Sequence, residues 1–260
     1  MKKKLFEILL MRELAPTEAE ARAIIMSGNV YVKGNKVDKA GTLFDEDVLI
    51  DVKQKEHPYV SRGGLKMEGA IKAFSLDVTD KDCIDIGSST GGFTDCLLKN
   101  GAKSVTAVDV GVGELAWKLR QDARVTVMEG TNARYLTRDN FIKPFDVAVT
   151  DVSFISLKHI LPVMAAVTTD TPIIVSLIKP QFECERDEVP TGGIITDVNV
   201  HKSVINKVKA YAESAGLYMA DIAFSPIKGT KGNIEFLARY EKKYEKVFDE
   251  RINNFVDMLK

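Results

Sequence analysis

Four charged side chains stand where the residue pattern ends a strand or opens a helix: Lys66, Asp151, Lys179 and Glu235. Lys66 lies in "SRGGLKMEGAIKAF", at the start of a helix that precedes the first strand of an α/β region. "VTDVSF" puts Asp151 at the carboxyl end of the fourth strand, "SLIKPQFE" puts Lys179 at the end of the fifth, and "GNIEFL" puts Glu235 in the last. In open α/β sheets that edge is where ligands bind. Each residue alone has a plain role: Asp151 as a loop cap, Lys179 snorkelling from a strand end, Glu235 as a pairing partner, Lys66 as a solvated helix residue. Together, two ammonium groups and two carboxylates converging on one edge make a set suited to holding and moving protons. Such a set is expensive to keep half-buried without a function.

A second constellation lies in "DIGSSTGGFTDCLL". The first strand ends at Asp85 and Ile86, a loop of glycines and hydroxyl residues follows from Gly87 to Gly92, and Phe93 opens a helix. Glycines let a ligand approach the backbone, and a helix N-terminus offers unpaired N–H groups. Asp109, at the end of the next strand, is placed to accept both hydroxyls of a ribose. The pair points to a nucleoside cofactor, either a nicotinamide dinucleotide or S-adenosylmethionine. Ser89 stands where G-x-G-x-x-G requires its second glycine, which counts against a pyrophosphate on this loop. The structural alternative is a glycine turn feeding a tightly packed helix.

The elements that must position these residues follow from pattern. "DCIDIG", "SVTAVDV", "VTVMEG", "DVAVTDV", "TPIIVSLI", a strand within "YMADIAFS" and "NIEFLARY" alternate with helix-like segments, as in a doubly wound α/β domain. Ahead of them, residues 5 to 26 carry two helical patterns, with Leu5, Ile8 and Leu9 on one face and Thr17 with Glu20 forming a capping box. "SGNVYVKGNKV" reads as a hairpin turning around Gly34 and Asn35, and "TLFDEDVLIDV" as one more strand. "QKEHPYVSRGG" has the look of a linker. The expected domains are therefore residues 1–58 and 59–260.

Composition narrows the class. The chain has 260 residues and is 45% hydrophobic, enough for a substantial core. Its three cysteines, Cys83, Cys96 and Cys184, and its three histidines have no metal-ligand spacing, so neither a zinc site nor a disulfide framework is expected, and a cytoplasmic location fits best. No apolar run approaches the roughly 20 residues that span a bilayer. The charges in "MKKKLFEILLMREL" interrupt it too early for a secretory signal. Formal net charge is -1, so a nucleic-acid partner would be held by local basic patches.

"SRGGLKMEGAIKAF", "DIGSSTGGFTDCLL", "TDVSFISL", "LIKPQFE" and "SPIKGTKGNIEFL" together resemble the TlyA family, proteins named both as hemolysins and as ribosomal RNA 2′-O-methyltransferases. The likeness runs over nearly the whole chain, and the larger half is similar to the FtsJ class. It implies a Rossmann-like class I S-adenosylmethionine-dependent methyltransferase fold, with Lys66, Asp151, Lys179 and Glu235 as the catalytic Lys-Asp-Lys-Glu set. For the cofactor it implies Asp85, Gly87, Ser88, Gly91, Gly92 and Phe93 around the methionine part, Asp109 on the ribose, and Val110 and Asn132 beside the adenine. "ARAIIMSGNVYVKGNKV" resembles the S4 RNA-binding module, a small α+β domain in which Arg22, Lys33 and Lys36 would face RNA. Glu18 stands where many members carry an arginine. Arg62 would continue the basic track toward the active site.

The chemistry implied is methylation of a ribose 2′-hydroxyl, by resemblance on a cytidine of ribosomal RNA. That hydroxyl is a poor nucleophile at neutral pH, so an enzyme must orient it in line and remove its proton. Lys179 is the expected base, Asp151 its orienter, and Glu235 the holder of Lys66 or the ribose. The first 60 residues carry as many basic as acidic side chains, so shape more than net charge must carry RNA recognition. "PQFECERDEVPTGGIITD" is a polar insertion after Lys179, either a lid or surface decoration. Three competing classes are a membrane-active hemolysin, a catalytically inactive RNA-binding scaffold and an NAD-dependent oxidoreductase. The first lacks a membrane segment, the second is opposed by the intact set of four, and the third lacks a catalytic Tyr/Lys or His/Asp pairing.

Overall fold

The computed structural model describes residues 2–15, 17–26, 28–52 and 57–259. Ser27 of the hairpin segment and residues 54–56 of the linker segment lie outside the described residues. The chain divides into two compact units, Met1–Pro58 and Tyr59–Lys260.

The smaller unit runs β1 (Lys2–Lys4), α1 (Leu5–Met11), α2 (Glu18–Met26), β2 (Val30–Val32), β3 (Asn35–Val37), β4 (Leu43–Asp45) and β5 (Ile50–Val52). Leu5, Ile8 and Leu9 are buried with Ala21, Ile25, Val30 and Val32. The Thr17 hydroxyl accepts the Glu20 amide at 3.2 Å at the start of α2. The hairpin turns one residue earlier than the pattern suggests. Lys33 and Gly34 are the turn, both with positive φ, 49° and 80°, and Asn35 already pairs with Val32. Two left-handed residues match the twist of a two-residue hairpin. "TLFDEDVLIDV" is two strands, not one: β4 pairs antiparallel with β1, and β5 with β2. β1 has no sequence signature because three lysines carry no apolar alternation.

The larger unit begins with α3 (Gly63–Ala73) and continues through β6 (Asp82–Ile86), α4 (Gly92–Lys99), β7 (Ser104–Val108), α5 (Trp117–Arg120), β8 (Val125–Met128), β9 (Phe145–Thr150), α6 (Leu161–Val167) and β10 (Thr168–Ile178). Then come α7 (Pro180–Glu183), α8 (Val198–Ser214), β11 (Tyr218–Phe224), β12 (Phe236–Glu241) and α9 (Lys246–Met258). All seven expected strands are present in one sheet, ordered β11-β12-β10-β9-β6-β7-β8. β8, β7, β6, β9 and β10 are parallel, whereas β12 runs antiparallel to both β10 and β11. The central strands read as continuous apolar runs because both faces are covered. One face carries a core of Ile84, Ile86, Ala148, Leu161, Val204 and Phe236, the other a core of Met67, Cys83, Leu97, Val105, Val147 and Leu177.

The strand order reverses beside β6, where neighbouring connections leave on opposite faces and open a crevice. Helices α3 and α4 flank that crevice and touch backbone to backbone. A Cβ on Gly92 would overlap the Ser61 hydroxyl and lie 2.8 Å from the Gly64 nitrogen and 3.0 Å from the Gly63 Cα. Gly92→Ala is therefore expected to push α3 from α4 and to lower stability by about 1–3 kcal/mol, measured by chemical denaturation of the whole chain.

Candidate active site

The sheet topology brings the four charged residues together. Asp151 follows β9 and Lys179 follows β10, so parallel neighbours deliver both to one edge. Glu235 immediately precedes β12, and because β12 runs the opposite way its start lies at the same edge as the ends of β9 and β10. Lys66 comes from the first turns of α3. Lys66 Nζ lies 2.7 Å from Glu235 Oε2 and 3.5 Å from Asp151 Oδ2. Lys179 Nζ lies 2.6 Å from Asp151 Oδ1 and donates a hydrogen bond to the Ser153 hydroxyl at 2.8 Å. The contacts to Asp151 Oδ1 and Glu235 Oε2 are close ion pairs whose angles fall short of hydrogen-bond alignment. The set is a chain, Glu235 to Lys66 to Asp151 to Lys179, closed at its end by Ser153. Glu235, Lys179 and Lys66 are 3%, 8% and 9% exposed, so their charges balance one another and not water.

Lys66, Asp151, Ser153 and Lys179 line a cleft of about 410 Å³, within the range of small-ligand sites, and Glu235 reaches it through its ion pair with Lys66. Its opposite wall is the loop after β6. Asp85, Gly87, Ser88, Gly92 and Phe93 line it, together with Ser61, Arg62 and Lys228. Gly87 has φ +81°, and a Cβ there would meet Val152 Cγ1 at 2.8 Å, so only glycine fits. The Asp85 carboxylate is fully buried. Its Oδ2 accepts the Thr94 amide at 3.0 Å and the Thr94 hydroxyl at 2.7 Å, while its Oδ1 has no partner. Burial, reinforced by the charge of Asp151 and opposed by Thr94, pushes the Asp85 carboxyl up to about 7. A buried acceptor left open at the cleft wall fits a cationic or N–H-bearing ligand.

The remaining cofactor candidates lie outside that lining. Gly91 caps α4 with φ +94°, against Leu115 and Leu119. Asp109 follows β7 and holds loops: its Oδ2 accepts the Ser89 amide at 2.7 Å and its Oδ1 the Gly111 amide at 2.8 Å. Val110 is 72% exposed. Asn132 caps a short 3₁₀ turn by accepting the Arg134 amide, on a segment tied to Asp109 by the Thr131 amide. Glu129, missed in the sequence, organises the loop after β7. It pairs with Arg120 and accepts the amides of Gly113, Glu114 and Leu115, and these donors, Arg120 first, pull its carboxyl down to about 2.

Of the expected RNA-facing residues, Lys33 and Lys36 are exposed. Arg22 is already engaged, paired with Glu18 at 2.7 Å and stacked 4.0 Å over the Phe6 ring. Arg62 belongs to the cleft, donating to the Lys228 carbonyl at 3.2 Å. Sequence reasoning also missed an aromatic pair beside Lys179. Phe154, 91% exposed with φ +62°, packs tilted against Phe182 at 5.0 Å, and Lys179 Nζ lies 5.9 Å from the Phe182 ring. A left-handed phenylalanine has no sequence signature. Among the described residues no group of three or more His, Cys, Asp or Glu is placed to hold a metal ion, and no helix is long and apolar enough to cross a membrane.

A family model for FtsJ-like methyltransferases matches residues 59–242. The chain belongs to the FtsJ-like methyltransferase family. This methyltransferase is 49% identical over 237 residues to a candidate rRNA methyltransferase, YqxC, of Bacillus subtilis, covering 91% of this chain and 84% of that one. It is 40% identical over 229 residues to the 16S/23S rRNA (cytidine-2′-O)-methyltransferase TlyA of Mycobacterium tuberculosis, covering 88% and 85%. A solved structure of a candidate hemolysin from Streptococcus thermophilus superposes with a TM-score of 0.73 at 41% identity, covering 97% of this chain and 95% of that one. The fold alone is shared with a candidate S-adenosylmethionine-dependent methyltransferase from Listeria monocytogenes, 12% identical with a TM-score of 0.50 over 69% of this chain and 99% of that one.

The methyltransferase's Asp85 gives a pH dependence with a defined sign. Its folded-state pKa is raised from 3.8 to about 7, so the folded state holds a proton that the unfolded chain has released between those values. Its contribution to stability is full below about 4 and falls as pH rises toward 7, by on the order of 1.4 kcal/mol per unit. Asp85→Asn, which keeps an acceptor for Thr94, is expected to be more stable than the parent at pH 8 and equal to it near pH 4, as read by urea denaturation across that range.

Proposed function

We propose that the protein is an S-adenosylmethionine-dependent RNA 2′-O-methyltransferase acting on a cytidine ribose of ribosomal RNA. The observation that carries this reading is the nearly buried chain Glu235–Lys66–Asp151–Lys179, set across one cleft from the glycine loop after β6. The names of the relatives supply the substrate class. When bound, S-adenosylmethionine supplies a methyl group already activated on a sulfonium. The loop from Gly87 to Phe93 would hold its methionine part, and the open Oδ1 of Asp85 suits that part's ammonium. Asp109 would take the ribose, beside Val110 and Asn132 near the adenine.

The chain's own residues then have one task, to present an oxygen and remove its proton. The Lys179 amine points two of its sites at Asp151 and Ser153. Held from two sides, the amine turns toward the 2′-hydroxyl the lone pair it gains once it has given up a proton. Asp151 aims that amine, and Lys66, pinned by Glu235, keeps Asp151 in place and faces the developing alkoxide. Phe154 and Phe182 offer a face on which the base of an unstacked target nucleotide can lie, as enzymes that work on one nucleotide within structured RNA require. The smaller unit would serve as an S4-like RNA-binding domain, with the exposed Lys33 and Lys36 facing RNA and Arg62 contributing at the cleft.

Two outcomes test these assignments. Lys179→Ala and Lys179→Arg are both expected to lose at least 100-fold in methyl transfer to ribosomal subunits lacking the modification, with affinity for S-adenosylhomocysteine within a few-fold of the parent. Transfer is followed as label resistant to alkaline cleavage at one site. Near-normal transfer by either variant would remove Lys179 from the role of base. Phe154→Gly is expected to lose about tenfold in transfer, the equivalent of one base-stacking contact, while its thermal midpoint holds or rises because the left-handed backbone is relieved.

A further inference from the structure

One buried carboxylate beside the site is used by none of these steps. Glu183 ends α7, the short helix that begins directly after Lys179, and it is 4% exposed. Both of its oxygens reach across to the loop that follows Asp151. Oε1 accepts the Leu157 amide at 2.7 Å and Oε2 accepts the Ser156 hydroxyl at 2.7 Å. Taking a carboxylate out of water for two such bonds is costly, and burial raises its pKa accordingly. A fold needing only to cover α7 would place an apolar side chain there.

What the two bonds join explains the cost. One end of the stitch is α7, which carries Lys179 at its cap and Phe182 within it. The other end is the segment from Asp151 to Leu157, which carries Asp151, Ser153 and Phe154. The 2.6 Å and 2.8 Å contacts of Lys179 Nζ run between these same two segments, as does the Phe154–Phe182 pair. Phe154 holds a φ of +62°, a conformation that persists only where surrounding bonds over-determine it.

Resting on the proposed RNA methyl transfer, we infer that Glu183 is a positioning residue that fixes the Lys179 amine against Asp151 and Ser153 by stitching their two loops together. It touches neither substrate nor cofactor. Its effect is carried by the direction of the Lys179 lone pair and by the seat of Phe154. A misplacement of 1 Å at such a site costs on the order of 100-fold in rate. Among the described residues the Glu183 carboxylate bonds only to Ser156 and Leu157 and to nothing in the glycine loop after β6, so its loss should act on transfer rate and leave cofactor affinity little changed.

The experiment compares wild type, Glu183→Leu and Glu183→Gln in single-turnover methyl transfer to unmodified ribosomal subunits, with S-adenosylhomocysteine and RNA affinities measured alongside. Glu183→Leu is expected to transfer at least 10-fold more slowly with both affinities within twofold. Glu183→Gln, whose carbonyl accepts from Leu157 and whose amide donates to the Ser156 hydroxyl, is expected to recover to within threefold of wild type. A purely structural role would instead lower the thermal midpoint and affinities together with the rate, and that pattern overturns the inference. So does a folded Glu183→Leu protein with wild-type rate. If Glu183→Leu fails to fold, Ser156→Ala removes one of the two bonds without an apolar insertion. It should then slow transfer at least threefold at unchanged affinity, and an unchanged rate refutes the stitch. Wild type that transfers no methyl to the subunits refutes the RNA reading and this inference with it, a result distinct from an active wild type matched by its variants.

Discussion

Lys66 is shared between two carboxylates, and the rest of the site depends on that sharing. An ammonium that is nearly buried needs a counter-charge on every open side, and a carboxylate that is nearly buried needs the reverse. Glu235 takes one side of Lys66 and Asp151 the other, which leaves the second oxygen of Asp151 to Lys179. Each group is thereby half the reason its neighbour is tolerated. Removing any one strands a charge, at about 3–5 kcal/mol for a buried pair broken on one side. The same economy makes the geometry rigid: none of the four can swing out without exposing a partner.

The sheet supplies the directions this chain of charges needs. A fully parallel sheet would deliver only strand ends to the crevice, and Glu235 stands at a strand beginning. The reversed β12 solves this, since the residue entering an antiparallel strand lies level with residues leaving its parallel neighbours. β11 then adds on β12 as the sheet edge, where α9 packs over it. The close approach of α3 and α4 at Gly92 brings the helix bearing Lys66 against the helix that opens at the glycine loop, so the two halves of the cleft share one wall.

Much of this was legible before any coordinates. The seven strands were visible because both faces of the sheet are covered and each strand is a dense apolar run. Asp151, Lys179 and Glu235 were visible because they stand at the ends of those runs, and Lys66 because it opens the helix that precedes them. The hairpin turn was read one residue late, since a positive φ at Lys33 contradicts the residue type, whereas the glycine beside it does not. Phe154 escaped for the same reason. Glu183 and Glu129 escaped because a carboxylate that accepts backbone amides across a loop has no fixed spacing to its donors. The ribose role expected of Asp109 rested on its place after the second parallel strand, whereas its bonds to the Ser89 and Gly111 amides depend on how two loops fold back, which no local pattern encodes.

The pairing of Lys66 with Glu235 also has a temporal side. One partner comes from the first helix of the larger unit and the other from the threshold of its last sheet strand, so their contact closes one of the longest loops the unit contains, and such contacts form late in folding. Until β12 slots between β10 and β11, Lys66, Asp151 and Lys179 carry an excess positive charge with nothing to absorb it. The glycine loop after β6 sits among parallel strands, whereas the set of four charges is complete only once β12 is in place. The completeness of the charged set thus depends on the last strand of the sheet.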